Sequence, residues 1–559
     1  MALPPKPPKF AIYPSVGIAR VGDSPEYYVH PDEPTLDLSP EPFTLPRTAV
    51  TTNRGKFRDT ANRIRRQAAR FRIYEVNWKA YNNKTWIPAD PVKQIKAGSS
   101  IELRWKVNVC NAKHFPAFSP PASDTPPALA TRTRLEATAD ITSKPPLTHK
   151  VLKVPKAAAA GRPNDIVLGA VTVDADGNLL FVGGEGQCFS DGATLLPGPL
   201  FQPKWFDDVC DGRIECEVFE GGVSKGSALP AWVVTGKPAF SQAMPQFESL
   251  YDVAKQLASN RAILPITVDT KFVRDVFPVI RAIERLRWTS NLAQLHRTAP
   301  PLVNKSAELA KLADKSDPVG RAQRRALFDR LTSPRMTLHS YREPSTGVID
   351  EDFDRALARM VAARPASPKN MPMMWDTTLV GDRYYHMYNL ANDNYTDDYD
   401  RVQGIPAQTP FSAQTPLEQL DTLNRAYMET ALGGSNMPGL EVGFRASERN
   451  TWAPIAFRID AAIQPGYLTA SLSVPWPKDY SACADGDRPL EWWPPGRPIR
   501  VFNVNGDVKE WERKWAGEPG NTVATAWKGL GFLKFHPASK QYREDERTLP
   551  EPPTPTPPP

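Results

Sequence analysis

The sequence predicts an α+β, multidomain chain, with a β-rich N-terminal half, a helical middle and a mixed C-terminal region. Three observations predict it. Short β-prone runs, punctuated by Gly, Pro, Asp and Asn, fill the chain from about Phe10 to Val234. Helical periodicity then takes over. Prolines number 59 among 559 residues, about twice the ordinary ~5%. Proline removes a backbone donor and fixes φ, which favours loops, turns and edge strands over long helices. The apolar fraction of 41% allows a sizeable core. We divide the chain into a β-rich domain over 1–245, a mainly helical region over 246–435, a mixed region over 436–545 and a disordered proline-rich tail over 546–559.

The runs "FAIYPSVGIARVG", "SIELRWKVNV", "DIVLGAVTV", "NLLFVGG", "IECEVFE" and "AWVVTG" read as strands. The basic run from Asn53 to Arg72 leads into a further one, "FRIYEV". It carries no nucleic-acid motif, so its arginines are expected to pair with carboxylates of the same chain. The proline-laden connection from Phe115 to Pro146 reads as a surface excursion. In "DADGNLLFVGGE", Asp174, Asp176, Asn178 and Glu185 fall at calcium-loop positions. Leu179 stands where that loop needs glycine for its sharp bend, so a hairpin turn around Asp176–Gly177 is expected instead.

Next come the amphipathic runs "ESLYDVAKQLASN", "TKFVRDVFPVIRAIERLRW", "AELAKLAD", "GRAQRRALFDRL" and "DFDRALARMVA". Pro278 is expected to kink or start a helix. In "TPLEQLDTLNRAYMETALGG", Thr415 caps, Pro416 takes the first helical position and Glu418 completes a capping box, with Gly433 and Gly434 ending the helix. An extended run is expected at "GYLTASLSV" and a helix at "NTVATAWKGL", leading to "GFLKF".

The net charge of +7 is mild for this length, and nucleic acid is not expected as a partner. The first residues carry no apolar signal-peptide core, and no run approaches the ~18 apolar residues of a membrane span. The expected location is cytoplasmic, or outside the cell by a non-classical route. The cysteines, Cys110, Cys188, Cys210, Cys216 and Cys483, form no CxxC and no zinc spacing with histidine. No phosphate loop, GxGxxG, GxSxG or HExxH is present, the seven histidines have no metal spacing, and no metal is expected. With the common catalytic toolkits excluded, two classes remain: a non-enzymatic module, or an enzyme whose cofactor is made from its own side chains. "SVPWPKDYSAC" bears on that choice, because it sets Asp479 four residues before Cys483 in a tryptophan-rich segment.

Six stretches, in order along the chain, resemble the quinoprotein amino-acid oxidases of the lysine ε-oxidase and glycine oxidase family. They are "YPSVGIARVGDSPEYY", "FRDTANRIRRQAARFRIYEV", "LGAVTVDADGNLLFVGGEG", "WFDDVCDG", "PGLE" and "SVPWPKDYSAC". The resemblance implies a cysteine tryptophylquinone, a tryptophan oxidised to an ortho-quinone and joined to a cysteine sulfur. It places the sulfur on Cys483 and the acid/base on Asp479, a pair that would share one face of a helix. Trp511 is the best match for the modified ring, with Trp493, Trp515 and Trp527 as alternatives. Phe206 matches an aromatic lining the family's substrate pocket. Cys210 stands where the family tends to carry serine. Leu440 falls where relatives place a polar or sulfur-bearing residue, and an apolar side chain there would disfavour a second charged group on the substrate.

The implied reaction is oxidative deamination of a primary amine, of an amino acid or related compound, with O2 reduced to hydrogen peroxide and ammonia released. The resemblance also implies a flavoprotein maturation partner. A homo-oligomer is the expected assembly. Two other readings stay open on the sequence: a binding module that keeps the scaffold without the cofactor, and a quinone-dependent amine dehydrogenase with a protein electron acceptor.

Overall fold

The computed structural model describes residues 3–32, 57–115, 128–155, 165–193, 195–196, 200–241, 249–260, 263–264, 269–286, 288, 306–331, 382–399, 409–429, 451–481, 498, 500–511, 526–536, 538–539 and 541–550. The N-terminal part is built of strands. In chain order they are β1 (Phe10–Tyr13), β2 (Val16–Arg20), β3 (Tyr27–Val29), β4 (Arg66–Tyr81), β5 (Thr85–Ile95), β6 (Ile101–Asn111) and β7 (Leu135–Thr142). Then follow β8 (Lys150–Val154), β9 (Ile166–Val173), β10 (Leu179–Gly183), β11 (Cys188–Ser190), β12 (Trp205–Asp207), β13 (Asp211–Glu220), β14 (Val223–Leu229) and β15 (Ala231–Gly236).

Thirteen of these strands form one sheet, along the path β1-β14-β13-β15-β2-β4-β10-β9-β8. β3 and β5 add to β4, and β6 joins β13 to β7. Two strands make most of the connections. The 16-residue β4 pairs over different stretches with β1, β2, β3, β5 and β10. β13 pairs with β6, β14 and β15. The first two strands run parallel to strands some 200 residues later, Phe10 opposite Ala228 and Val16 opposite Trp232. β11 and β12 form a separate two-stranded ladder, with Cys188 opposite Asp207.

The strand expectations hold: β6 and β13 alternate buried with more exposed residues, while β1, β2, β10 and β15 are buried along their whole length. The basic run is structural, as expected. Arg63 pairs with Asp59 at 2.9 Å, Arg65 with Glu26 at 2.9 Å and Arg72 with Asp32 at 2.7 Å. The hairpin turn is also there. Asp174 Oδ1 accepts the amides of Asp176 and Asn178, and Gly177 takes the left-handed φ of +80° that its position requires.

Three expectations are corrected. The connection from Phe115 to Pro146 is not only a surface excursion, because "LEATADIT" is β7, antiparallel to β6 and alternating buried with exposed. The run at "GYLTASLSV" is a succession of turns, not a strand, wound on a buried carboxylate described below. The capped helix starts as expected, with the capping box at Thr415 and Glu418, but ends at Met428.

Among the described residues the α-helices are α1 (Leu250–Asn260), α2 (Phe277–Leu286), α3 (Ser306–Ala313), α4 (Pro318–Leu331), α5 (Asp382–Ala391) and α6 (Pro416–Met428). A π-helical turn, Phe272–Val276, runs directly into α2, so Pro278 does not start a helix but lies inside a helical run, where π-helical bonding gives way to α-helical. "DFDRALARMVA" lies outside the described residues, as does the first half of "NTVATAWKGL", which ends in a short 3-10 turn at Trp527–Gly529. No helix among the described residues is long and apolar enough to cross a membrane.

A second, four-stranded sheet near the C-terminus orders β17 (Val508–Glu510), β16 (Arg500–Phe502), β19 (Gln541–Asp545) and β18 (Phe532–His536). Its inner residues do not form a core of their own. Trp511, Trp527, Phe532 and Leu533 pack in the same cluster as Phe71, Val107, Phe181 and Val233 of the large sheet.

The closest backbone approach in the large sheet is at β13, where a Cβ on Gly212 would overlap the carbonyl oxygen of Asn108 on β6. Gly212→Ala is expected to destabilise the fold by about 1–3 kcal/mol or more. Gly98→Ala, with open space around it, is expected to stay within about 0.5 kcal/mol. Paired thermal melts of the two variants check this.

Candidate active site

The segment that carries Asp479 has few sheet partners, and buried carboxylates of the stretch 207–211 take up its amides. Residues 466–469 wrap around Asp211, at the start of β13. That carboxylate accepts from Gly466 N at 3.1 Å, Thr469 N at 2.8 Å, Thr469 Oγ1 at 2.6 Å and Trp232 Nε1 at 2.9 Å. Burial raises the Asp211 carboxyl above its ordinary value, and the Thr469 donors oppose the rise.

Asp207, at the end of β12, does the same for the next turn. Its Oδ2 accepts from Lys113 Nζ at 2.6 Å and from Trp476 N at 2.7 Å. Its Oδ1 accepts from Asn111 Nδ2 at 2.8 Å. Lys113 Nζ also donates to the Ser473 carbonyl at 2.8 Å. Both side chains of this ion pair are 0% exposed. Burial raises the Asp207 carboxyl, while the Lys113 ammonium opposes the rise. Breaking such a pair at one end leaves an uncompensated buried charge, at a cost of about 3–5 kcal/mol.

Ser473 passes this order to Asp479. Its amide and its hydroxyl both donate to Asp479 Oδ1, at 2.8 and 2.6 Å. Asp479 Oδ2 lies 3.9 Å from Lys237 Nζ, and both side chains are buried. Asp479 sits on a 3-10 turn, Trp476–Ser481, where an α-helical face shared with Cys483 was expected. Pro475 and Pro477 withhold two backbone donors at its start.

Next to Asp479 begins an aromatic wall. Tyr480 donates its hydroxyl to the Pro238 carbonyl at 2.6 Å and packs on Phe240, ring centroids 5.8 Å apart. Phe240 in turn packs on Trp511 at 5.0 Å and on Phe532 at 5.0 Å. Trp476 meets Tyr480 at 6.2 Å and Trp527 at 4.9 Å. The Trp511 side chain is completely buried, and its Nε1 has no hydrogen-bond partner among the described residues. Its backbone is clamped, because both terminal nitrogens of Arg547 donate to the Trp511 carbonyl at 3.0 and 2.9 Å.

The residues singled out in the sequence thus fall into three groups. Asp479 and Trp511 meet the same wall, joined through Tyr480 and Phe240. Phe206 lies beside Asp207 on β12, stacked on His114 at 3.9 Å and near Phe189 at 5.6 Å. Cys483, Leu440, Trp493 and Trp515 lie outside the described residues. Sequence reading missed Lys113, Asp207, Ser473 and Lys237. The first had a signal: Leu103, Trp105, Val107, Val109 and Asn111 point inward, and Lys113 continues that period of two. An open groove of about 680 Å³ over β6, β7, β13 and β14, lined by Glu102, Arg104, Asp140 and Arg213 among others, includes none of these residues.

Cys210 is structural, since burial raises its thiol well above the usual range and Sγ donates to the Leu168 carbonyl at 3.3 Å. Asp208 is buried beside Asp207, and its Oδ2 accepts from Gln187 N at 3.0 Å.

Residues 13–235 match the model described as L-lysine epsilon oxidase N-terminal, and residues 367–500 match the L-lysine epsilon oxidase C-terminal domain. The two models belong to one family, follow in the same order and together take in more than half of the chain. The chain belongs to the L-lysine epsilon-oxidase family. Among curated proteins it is similar to L-lysine 6-oxidase of Marinomonas mediterranea, 29% identical over 140 residues. That stretch is 23% of this chain and 19% of that protein. Among solved structures, the L-Lys epsilon-oxidase of the same organism aligns over 96% of this chain and 95% of its own, with a TM-score of 0.66 at 16% identity. Its Schiff-base intermediate with L-Lys aligns over the same shares, with a TM-score of 0.65 at 16% identity. At that identity the likeness establishes the fold, and the α+β, multidomain architecture is that of the epsilon-oxidase structures.

Asp208 gives this site a pH signature. Burial pushes its carboxyl up to about 7. The folded state therefore holds a proton that the unfolded chain has already released above its ordinary value of 3.8. This contribution to stability is present at acid pH and is lost as pH rises toward 7. Asp208→Asn removes the titration. Relative to wild type, the variant is expected to gain stability between pH 4 and 8 by a few kcal/mol, because each tenfold difference in proton affinity is worth about 1.4 kcal/mol. Urea melts of both proteins across that range are the measurement.

Proposed function

We propose that this member of the family oxidises the primary amine of an amino acid or related amine, using a cysteine tryptophylquinone formed from Cys483 and Trp511. The observation that carries the reading is Trp511 itself. Its ring is wholly buried in the wall that adjoins Asp479, and its indole nitrogen lacks a partner among the described residues. The residues present fit the group on this side, while Cys483 lies outside the described residues. Family membership and the name of the curated relative support the class of substrate.

Once formed, the group supplies an electrophilic carbonyl toward an amine and a sink for two electrons. The chain supplies the rest. Asp479 takes the proton from the carbon that bears the nitrogen, with Oδ1 fixed by Ser473 and Oδ2 facing Lys237. Phe240 packs on the ring, with Tyr480 behind it, and keeps water away. Phe206 and Leu440 shape the substrate end. The overall reaction consumes the amine, O2 and water, and yields a carbonyl product, ammonia and hydrogen peroxide. A separate flavoprotein for maturation is part of the same reading, as the family resemblance implies.

Two outcomes are expected. Peptide mapping of coloured, active protein should find Cys483 joined to Trp511, and free Cys483 in active protein would overturn the reading. Linkage to Trp527 or another ring would correct only the partner. Asp479→Ala should lower amine-dependent peroxide release by at least ~100-fold, in the range for loss of a general base. A coloured variant with near-normal turnover would return Asp479 to a structural role. A colourless wild type that releases no peroxide would favour a binding module, and a coloured one that releases none would favour a dehydrogenase.

A further inference from the structure

The Lys113–Asp207 pair holds the turn before Asp479 at both ends. Its positive end takes the Ser473 carbonyl, at 2.8 Å. Its negative end takes the Trp476 amide, at 2.7 Å. The two groups are themselves 2.6 Å apart and wholly buried. Their order is that of the peptide groups they meet, a donor for a carbonyl and an acceptor for an amide. Ser473 then fixes Asp479 Oδ1 with two donors, and Trp476 begins the 3-10 turn on which Asp479 sits. The route from the pair to Asp479 therefore runs by two short paths, one through each end of the turn.

We propose that Lys113 and Asp207 are positioning residues for the reaction: together they set where the Asp479 carboxylate stands, by gripping the Ser473 carbonyl and the Trp476 amide. The proposal rests on the reading of Asp479 as the base. Among the described residues neither Lys113 nor Asp207 bonds to Asp479 itself; they reach it through Ser473 and Trp476. Asp207 is held from its other side by Asn111, so the grip is anchored to β6 and not to the segment it orders. A misplacement of about 1 Å at a reacting group costs on the order of 100-fold in rate, which gives the expected effect its size.

The decisive comparison is between Lys113→Met and the double variant Lys113→Met/Asp207→Leu. The single variant leaves a buried carboxylate without its cation and should lose thermal stability. The double variant removes both charges and so leaves no uncompensated ion, although the Ser473 carbonyl and the Trp476 amide lose their partners. A positioning role predicts that stability returns in part while turnover does not. In the double variant, kcat per quinone, counted by visible absorbance, should stay about 100-fold down, with KM within about threefold of wild type. Return of kcat together with stability would overturn the proposal and leave the pair structural.

Ser473→Ala is the milder second variant, should either of these fail to fold. It removes one of the two donors to Asp479 Oδ1 and should lower kcat about tenfold, whereas unchanged kcat would overturn the relay. Asp479→Ala, run alongside, separates the two readings. If it keeps turnover, the base assignment fails and kinetics no longer judge the pair. Amide hydrogen exchange then decides whether the grip exists: faster exchange over residues 473–481 in the double variant supports it, and unchanged exchange there overturns it.

Discussion

One ion pair in the dry interior, Lys113 with Asp207, is the contact on which the rest of the site depends. Two charges removed from water are stable only when each meets the other and further donors or acceptors. Here both do, and the further groups are backbone atoms of a segment far along the chain: the Ser473 carbonyl and the Trp476 amide, the latter 269 residues beyond Asp207. The pair is thus a junction. The end of β6, the β11–β12 ladder and the turn before Asp479 converge on it.

The same logic extends to Asp211. The segment from 466 to 476 is buried yet makes few ladder bonds, so its amides must find acceptors elsewhere. Asp211 and Asp207 provide them, from the single stretch "WFDDVCDG". That stretch is a template of buried carboxylates, and the C-terminal segment is folded onto it. This also explains how one core contains both Phe71 of the large sheet and Trp511 of the small one.

Much of the fold was legible because β-prone composition, turn punctuation and capping are local. β1, β2, β6, β9, β10, β13 and β15 follow from the first two, and the start of α6 from the third. β7 was missed because prolines crowd the chain just before and after it, although "LEATADIT" alternates cleanly. The turns at 466–474 were misread for the opposite reason. Leu468, Leu472 and Val474 have the composition of a strand, but their conformation is fixed by Asp211 and the Asp207 junction, which lie far away in sequence. The site was legible only in part. Asp479 and Trp511 came from a family resemblance, not from any spacing with a unique chemical meaning. Lys113 carried a readable sign, a lysine continuing the inward face of β6, but its partner could not be named from the chain.

The parallel pairings of the first strands have a consequence for how the chain is made. β1 and β2 cannot complete their places until β14 and β15 have left the ribosome, because those are their neighbours in the sheet. By then everything through Gly236 has been synthesised, and that includes Lys113, Asp207, Asp208 and Asp211. Domains form as units during translation, earlier parts first. The strands that seat the last third of the molecule are therefore all made before that third exists, yet the Lys113–Asp207 pair gains its backbone partners only when Ser473 and Trp476 dock onto it. The last burial step of the large sheet's own core thus waits for the last part of the chain to be made.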